Sequence, residues 1–258
     1  MNIVGLPALV GTYDNYIWVI HNSENAWIVD PGESQQVLDY LNQHNLQLQA
    51  ILITHQHFDH IDGIADLHNA YPNAQVFGPA KSTHPSIQIK CKENDVITLA
   101  DELQLKVLET PGHTLDHIAF YNDSVLFCGD TLFTAGCGRI LGGTAQQFSD
   151  SILKLRQLPD ELKFFSAHEY TLSNLGFAAI AEPENAALKQ RIATTEIHYP
   201  SNHTGAQSTL GEEKATNPFL RFDTPHLKKS LLERGAEDSA ESLFATLRAW
   251  KDEYDRNH

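Results

Sequence analysis

Thr54-His55-Gln56-His57-Phe58-Asp59-His60 sets four potential metal ligands within six residues. It follows Ala50-Ile51-Leu52-Ile53, a continuous apolar run of the kind found in a strand buried on both faces. Open α/β sheets gather their ligands at the C-terminal ends of strands, where loops converge. In an extended segment residues two apart point the same way, so His55 and His57 share a face. Asp59 and His60 come after the chain bends towards the next helix and address a different point. The spacing therefore favours two neighbouring ions over one four-ligand cage. A merely polar, solvated loop is the alternative, and the ligand density and the strand context weigh against it.

Three single residues occur in matching contexts. His113 lies in Thr110-Pro111-Gly112-His113-Thr114 behind the expected strand Leu103–Leu108. Asp130 lies in Cys128-Gly129-Asp130-Thr131 behind Val125–Cys128, and His168 in Ala167-His168-Glu169-Tyr170 behind Phe164-Phe165. Each neighbours Gly, Pro or Ala, where backbone can pass close to an ion. Taken singly, each would be read as a cap or a surface residue; together they read as a site. Imidazoles and carboxylates without thiolate suit a hydrolytic Zn²⁺ centre, with Mn²⁺ or Fe as other occupants.

Outward from the site, Tyr16–Ile20 and Ala26–Val29 read as a hairpin across Asn22-Ser23, and Asp30-Pro31-Gly32 as a turn. Ser34 is a candidate cap for a helix to about His44, and a second helix is expected over Ile61–Ala70. Ala74–Phe77, Val96–Leu99 and Ile118–Tyr121 are further strands. A helix starting at Thr144 has Phe148, Ile152 and Leu155 at helical spacing. After His168 no strand is expected. Thr171–Ala181, Glu184–Ile197, His226–Arg234 and Asp238–Tyr254 read as helices, the last with Asp238 and Glu241 in a capping-box-like start and a stripe of Leu243, Leu247, Trp250 and Tyr254. Tyr199–Leu210 reads as a loop. The organisation is an α/β domain over residues 1–168 and a helical domain over 169–258.

The 258 residues carry 18 Lys and Arg against 33 Asp and Glu, a formal charge of −15. Such a chain repels polyphosphate, which disfavours nucleic acid as a partner, and an anionic substrate would need local cations. Hydrophobic residues make up 41%, enough for a sizeable core. Cys91, Cys128 and Cys137 are too scattered for a disulfide framework and suit a reducing compartment; packing is the simpler role for the last two. No apolar stretch approaches about 18 residues, so no membrane span is expected, and no basic n-region marks a secretory signal. The remaining histidines, among them His203 and His258, read as surface or locally bonded residues; His117 reads equally as a neighbour of the ligands or as a core residue.

The T-H-x-H-x-D-H run, the P-G-H-T and G-D-T segments and the later H-E-Y resemble the metallo-β-lactamase superfamily. Within it the chain is similar to glyoxalase II, the hydroxyacylglutathione hydrolases. The second likeness is carried by Asp130-Thr131-Leu132-Phe133 leading into Ala135-Gly136-Cys137-Gly138-Arg139, by His168-Glu169-Tyr170-Thr171 leading into Asn174-Leu175, and by Asn217-Pro218-Phe219-Leu220-Arg221. The resemblance implies an αββα sandwich followed by a small C-terminal helical domain. It implies two divalent ions, Zn²⁺ foremost with Fe or Mn as alternatives. His55, His57 and His113 would hold the first, Asp59, His60 and His168 the second, and Asp130 would bridge them. Asp59 and Asp130 would act in catalysis by a hydroxide shared between the metals.

The implied reaction is hydrolysis of S-(2-hydroxyacyl)glutathione, chiefly S-D-lactoylglutathione, the second step of methylglyoxal detoxification. Arg139, Tyr170 and Arg221 would line the glutathione pocket, Arg offering a planar fork to carboxylate. A solvated surface charge is the ordinary alternative for each Arg, and is favoured for Lys228 and Lys229. Two departures from the family pattern stand out: Leu141 occupies a position where many members carry an aromatic that touches glutathione, and Gly176 falls inside an expected helix. A cytoplasmic monomer is expected, without a membrane partner. Competing classes are a glutathione-persulfide dioxygenase with a single iron, an RNA-processing nuclease of the same fold, and a catalytically silent binding module.

Overall fold

A computed structural model describes residues 1–100, 103–198 and 207–257. His203, His258 and most of the expected loop after Tyr199 lie outside them. The chain forms two compact units. Unit 1 comprises Met1–Glu109, Asp116–Gly129 and Phe165–Glu169; unit 2 comprises Thr110–Leu115, Asp130–Phe164 and Tyr170–His258.

Unit 1 is built on a sheet of β1 (Asn2–Ala8), β2 (Asn15–His21), β3 (Asn25–Val29), β4 (Gln47–Leu52), β5 (Gln75–Pro79) and β6 (Ile89–Cys91), in that spatial order. The first three strands run antiparallel and β3 to β6 run parallel. This explains why Ile51 and Leu52 sit in an unbroken apolar run: β4 has a parallel neighbour on each side and both faces are covered. Alternation sorts the side chains. Ile17, Val19, Ala26, Ile28, Ile51 and Ile53 join Val37, Leu41, Ile64 and Leu67 of the helices in one buried cluster. Each large aliphatic there contributes roughly 1.5–3 kcal/mol. On the opposite face Trp18 packs edge-on to Phe165 with ring centroids 4.9 Å apart, and its Nε1 donates to the Ser166 carbonyl. A second, antiparallel array is β7 (Val96–Ala100), β8 (Leu103–Glu109), β9 (Ile118–Tyr121) and β10 (Val125–Phe127). β1 and β6 went unread in the sequence, since Pro7 and the three-residue length of β6 hide their alternation.

Helix α1 (Gln35–His44) starts at Ser34, but that hydroxyl bonds Asp66 Oδ2 instead of capping the helix. The expected helix over 61–70 is two pieces, α2 (Phe58–Ile61) and α3 (Ile64–Ala70). Gly63 is the reason. Its N–H donates to the Pro31 carbonyl, and a Cβ there would lie 2.6 Å from that oxygen, so the chain must turn where it meets the 31–33 backbone.

Unit 2 begins with α4 (Ala145–Arg156), opened as expected by Thr144, with Gln147 completing a capping box. β11 (Lys163–Phe165) and β12 (Gln207–Thr209) are short strands; β12 corrects the expectation that no strand follows His168. The helices are α5 (Thr171–Ala181), α6 (Ala186–His198), α7 (Leu210–Thr216), α8 (Pro218–Arg221), α9 (Pro225–Glu233) and α10 (Ala240–Asn257). Ser239, not Asp238, caps α10: the Ser242 N–H donates to its hydroxyl. The α10 stripe packs within this unit, with Phe244 against Phe148 and Phe219, and Trp250 against Phe177. Gly176 is a packing requirement, since a Cβ would approach the Tyr254 hydroxyl to 2.6 Å.

Candidate metal centre

The site in unit 1 starts from the register of two parallel strands. β3 pairs Val29 with Leu52 of β4, so the residues just past both ends become neighbours. Asp30, in a left-handed conformation with φ 51°, receives the Thr54 N–H at 2.8 Å on one oxygen and the Thr54 hydroxyl at 2.7 Å on the other. Because that hydroxyl donates to Asp30, it accepts from His55 Nδ1, 3.1 Å away. His55 Nε2 is thereby left with its lone pair. It lies 3.0 Å from His57 Nδ1, so these two nitrogens converge as their shared face in the sequence suggests. His117 stacks on the His55 ring at 4.9 Å, which places it beside a candidate ligand.

A second cluster forms at the start of α2. Asp59, His60 and His168 are all buried, and one ligand atom from each lies within 4.8 Å of the others. Asn15 anchors Asp59 by donating from Nδ2 to its carbonyl and to Oδ2, both at 3.1 Å. His60 Nδ1 sits 3.1 Å from Asp30 Oδ2, which turns Nε2 towards Asp59 Oδ2 at 3.5 Å. His168 Nδ1 donates to the Tyr13 carbonyl at 2.7 Å, and its Nε2 lies 3.6 Å from the same Asp59 oxygen. An imidazole whose far nitrogen is tied to a carboxylate or a carbonyl is the arrangement that orients metal-binding histidines. One carboxylate and two imidazoles without thiolate fit a divalent ion.

In unit 2, His113 follows Gly112 (φ 154°). Its Nδ1 donates to the Arg139 carbonyl at 2.7 Å, and its Nε2 lies 3.2 Å from Asp130 Oδ2. The same pattern of one nitrogen tied and the other facing a carboxylate thus recurs. The Arg139 side chain is exposed, and Leu141 beyond it is 62% exposed. Tyr170 is half-buried and packs edge-on to Phe133 at 5.5 Å. Arg221 sits at the end of α8, with Nε donating to both Glu182 oxygens and Nη1 to the Lys214 carbonyl. Two cations that the sequence reading passed over, Arg248 and Lys251, share the buried side of α10. Arg248 Nη1 donates to the Cys137 carbonyl at 2.9 Å, and both cations meet Asp255. Burial lowers the Lys251 pKa, with Asp255 opposing, and pushes the Cys137 thiol up to about 11, which keeps it protonated near neutrality.

Asp30 and Asn15 are the other residues the sequence reading missed. Asp30 looks like an ordinary turn residue in Asp-Pro-Gly. Its place at the end of a strand is the one signal that could have singled it out.

Residues 10–168 match the model of the Metallo-beta-lactamase superfamily. The fold and the His/Asp clusters thus define a protein of that superfamily with a candidate divalent-metal site. Residues 169–254 match the model described as Hydroxyacylglutathione hydrolase C-terminus. A hydroxyacylglutathione hydrolase of Hydrogenovibrio crunogenus is 47% identical, the match covering 100% of this chain and 97% of the relative. That of Photobacterium profundum is also 47% identical, over 98% and 100%. The chain belongs to the hydroxyacylglutathione hydrolases and is an enzyme. Among solved structures, ETHE1 from Myxococcus xanthus has a TM-score of 0.67 at 23% identity, covering 97% of this chain and 98% of that one, a likeness of fold. Among the described residues no helix is long and apolar enough to cross a membrane.

Proposed function

We propose that this enzyme hydrolyses S-(2-hydroxyacyl)glutathione, chiefly S-D-lactoylglutathione, to glutathione and a 2-hydroxy acid such as D-lactate, the second step of methylglyoxal detoxification. The observation that carries this is the 47% identity to hydroxyacylglutathione hydrolases along the whole chain. Residues 1–168 would form the metal-binding catalytic domain and 169–258 the glutathione-binding domain, a division supported by the two family models.

Two divalent ions are proposed, Zn²⁺ foremost with Fe or Mn as alternatives. His55, His57 and His113 would hold one, Asp59, His60 and His168 the other, and Asp130 both. When bound, such metal supplies a water pKa lowered from 15.7 to about 7 and a polarised carbonyl. The chain's residues supply orientation. Asp30 fixes Thr54 and, through it, the lone pair of His55; Asn15 holds Asp59 beside the two imidazoles. Asp59 and Asp130 accept hydrogen bonds from the attacking water and aim it at the acyl carbon. The leaving thiolate needs no strong acid, since a thiol pKa is about 8.5. Glutathione is anionic, and Arg139 and Tyr170 would meet it. Arg221 would act with its Nε already committed to Glu182, and Arg248 and Lys251 offer further positive charge. A cytoplasmic monomer is proposed.

The test is turnover of S-lactoylglutathione with and without a chelator. Chelator-sensitive thioester loss is expected. A fully loaded enzyme that leaves this thioester intact, yet consumes oxygen with glutathione persulfide, would overturn the reading.

A further inference from the structure

Two aromatic side chains stand in solvent within one residue of the unit 1 cluster. Phe58 lies between His57 and Asp59 and is 48% exposed; Tyr13, whose carbonyl orients His168, is 43% exposed. Their rings meet edge-on at 5.2 Å. Beyond them Val10 is 73% exposed. Exposed aromatics next to a polar site cost burial and are not needed to fold either segment.

The segment that presents Tyr13 is built, not loose. The Leu9 carbonyl accepts from the N–H groups of Thr12, Tyr13 and Asp14 and from the Thr12 hydroxyl. Leu9 N–H donates to Glu33, Gly11 N–H to Asp14, and Glu169 N–H to the Asp14 carbonyl. Leu9 and Asp14 both hold left-handed backbone, each with φ 49°. Side-chain-bearing residues keep that conformation only where their surroundings over-determine it. Phe58 is fixed in turn as the first residue of α2, with its carbonyl accepting from Asp62.

We infer that Tyr13 and Phe58 form the wall that receives the side group of the acyl chain, and so set which 2-hydroxyacyl thioesters the enzyme prefers. This rests on the thioester-hydrolase reading. The carbonyl must reach the metal ligands, and the side group branches from the next carbon, so it lies against whatever flanks those ligands. Here that is two aromatic rings. Asp14, Asp62 and Glu169 belong to the same segments and would repel a carboxylate, so the favoured side group is apolar and uncharged. An aromatic side group gains most, since offset and edge contacts between rings add to plain burial.

The experiment compares kcat/KM for S-mandeloylglutathione, with a phenyl side group, and S-lactoylglutathione, with a methyl. Tyr13→Ala and Phe58→Ala are each expected to lower the mandeloyl-to-lactoyl ratio by about tenfold, the scale on which an apolar pocket discriminates. Tyr13→Phe should keep it. Metal content is measured alongside. If Phe58→Ala loses metal, Phe58→Leu takes its place, with a severalfold fall in the ratio expected. An unchanged ratio in metal-loaded variants overturns this inference alone. A wild-type enzyme that cleaves neither thioester removes the parent reading and this inference together.

Discussion

Asp30 holds the Thr54 amide and hydroxyl and stands 3.1 Å from His60 Nδ1, all from one buried carboxylate. Its effect on metal is therefore indirect and separable from folding. In Asp30→Asn one oxygen still accepts from Thr54, but the amide offers His60 no second acceptor. His60 then loses the partner that keeps its proton on Nδ1, and Nε2 ceases to be a dependable ligand. Metal affinity is expected to fall about 10–100-fold, the usual effect of removing such a supporting group. Competition with a chromophoric chelator measures it, and an unchanged affinity would show that Asp30 serves only the loop. The candidate ligands are legible in the sequence because five of the seven sit in motifs with recognisable spacing around His55–His60 and His113. Asp30 and Asn15 are not, because their roles come from what lies beside them in space. Asp30 owes its place to the parallel register of β3 on β4, and Asn15 to the chain path that brings it to Asp59.

At the scale of elements, the helices show which signals carry. Thr144 and Gln147 read correctly because a capping box needs only neighbours three residues apart. Thr144→Ala should cost about 1 kcal/mol. The matching fall in melting temperature is about 2–4 °C in a chain of this size. The start at Asp238 misleads because Ser239, one residue on, satisfies the same amides. The break between α2 and α3 is set by Pro31, far from Gly63 in sequence, and no local pattern reports it. The α4–α8 junction gives a pH test. Arg156 donates to both Asp223 oxygens and to the Leu220 carbonyl, and the hydrogen bond from Arg156 lowers the Asp223 pKa. A carboxylate depressed in the folded state adds stability above its unfolded pKa of about 3.9 and loses it as pH falls through the lower folded value. Asp223→Asn should therefore melt below wild type at pH 7. The gap should close as the pH is taken below about 4. The effect is modest because the pair is partly exposed, and a gap that widened in acid would contradict the assignment.

Over the whole molecule, the sequence carries 33 acidic against 18 basic residues, and several of those acids are buried where divalent metal is proposed. Asp30 and Asp59 are 3% and 6% exposed in unit 1, and Asp130 is 6% exposed in unit 2. Buried carboxylates are costly unless paired or bound to metal. A metal that binds only the folded chain adds RT ln(1 + [M]/Kd), about 2.7 kcal/mol at a hundredfold excess over Kd. Removing it should lower the melting temperature by about 5–10 °C for a chain of this size. Calorimetry of the same preparation before and after dialysis against a chelator, with Zn²⁺ then restored, measures the shift. Asp30→Asn supplies the control, because its weakened affinity leaves less metal stabilisation to lose. Its chelator shift should be smaller than that of wild type by about 1.4–2.7 kcal/mol in free-energy terms, a 10–100-fold change in Kd expressed as energy. Equal shifts in the two proteins would mean that the stabilising ion sits somewhere other than the centre Asp30 supports.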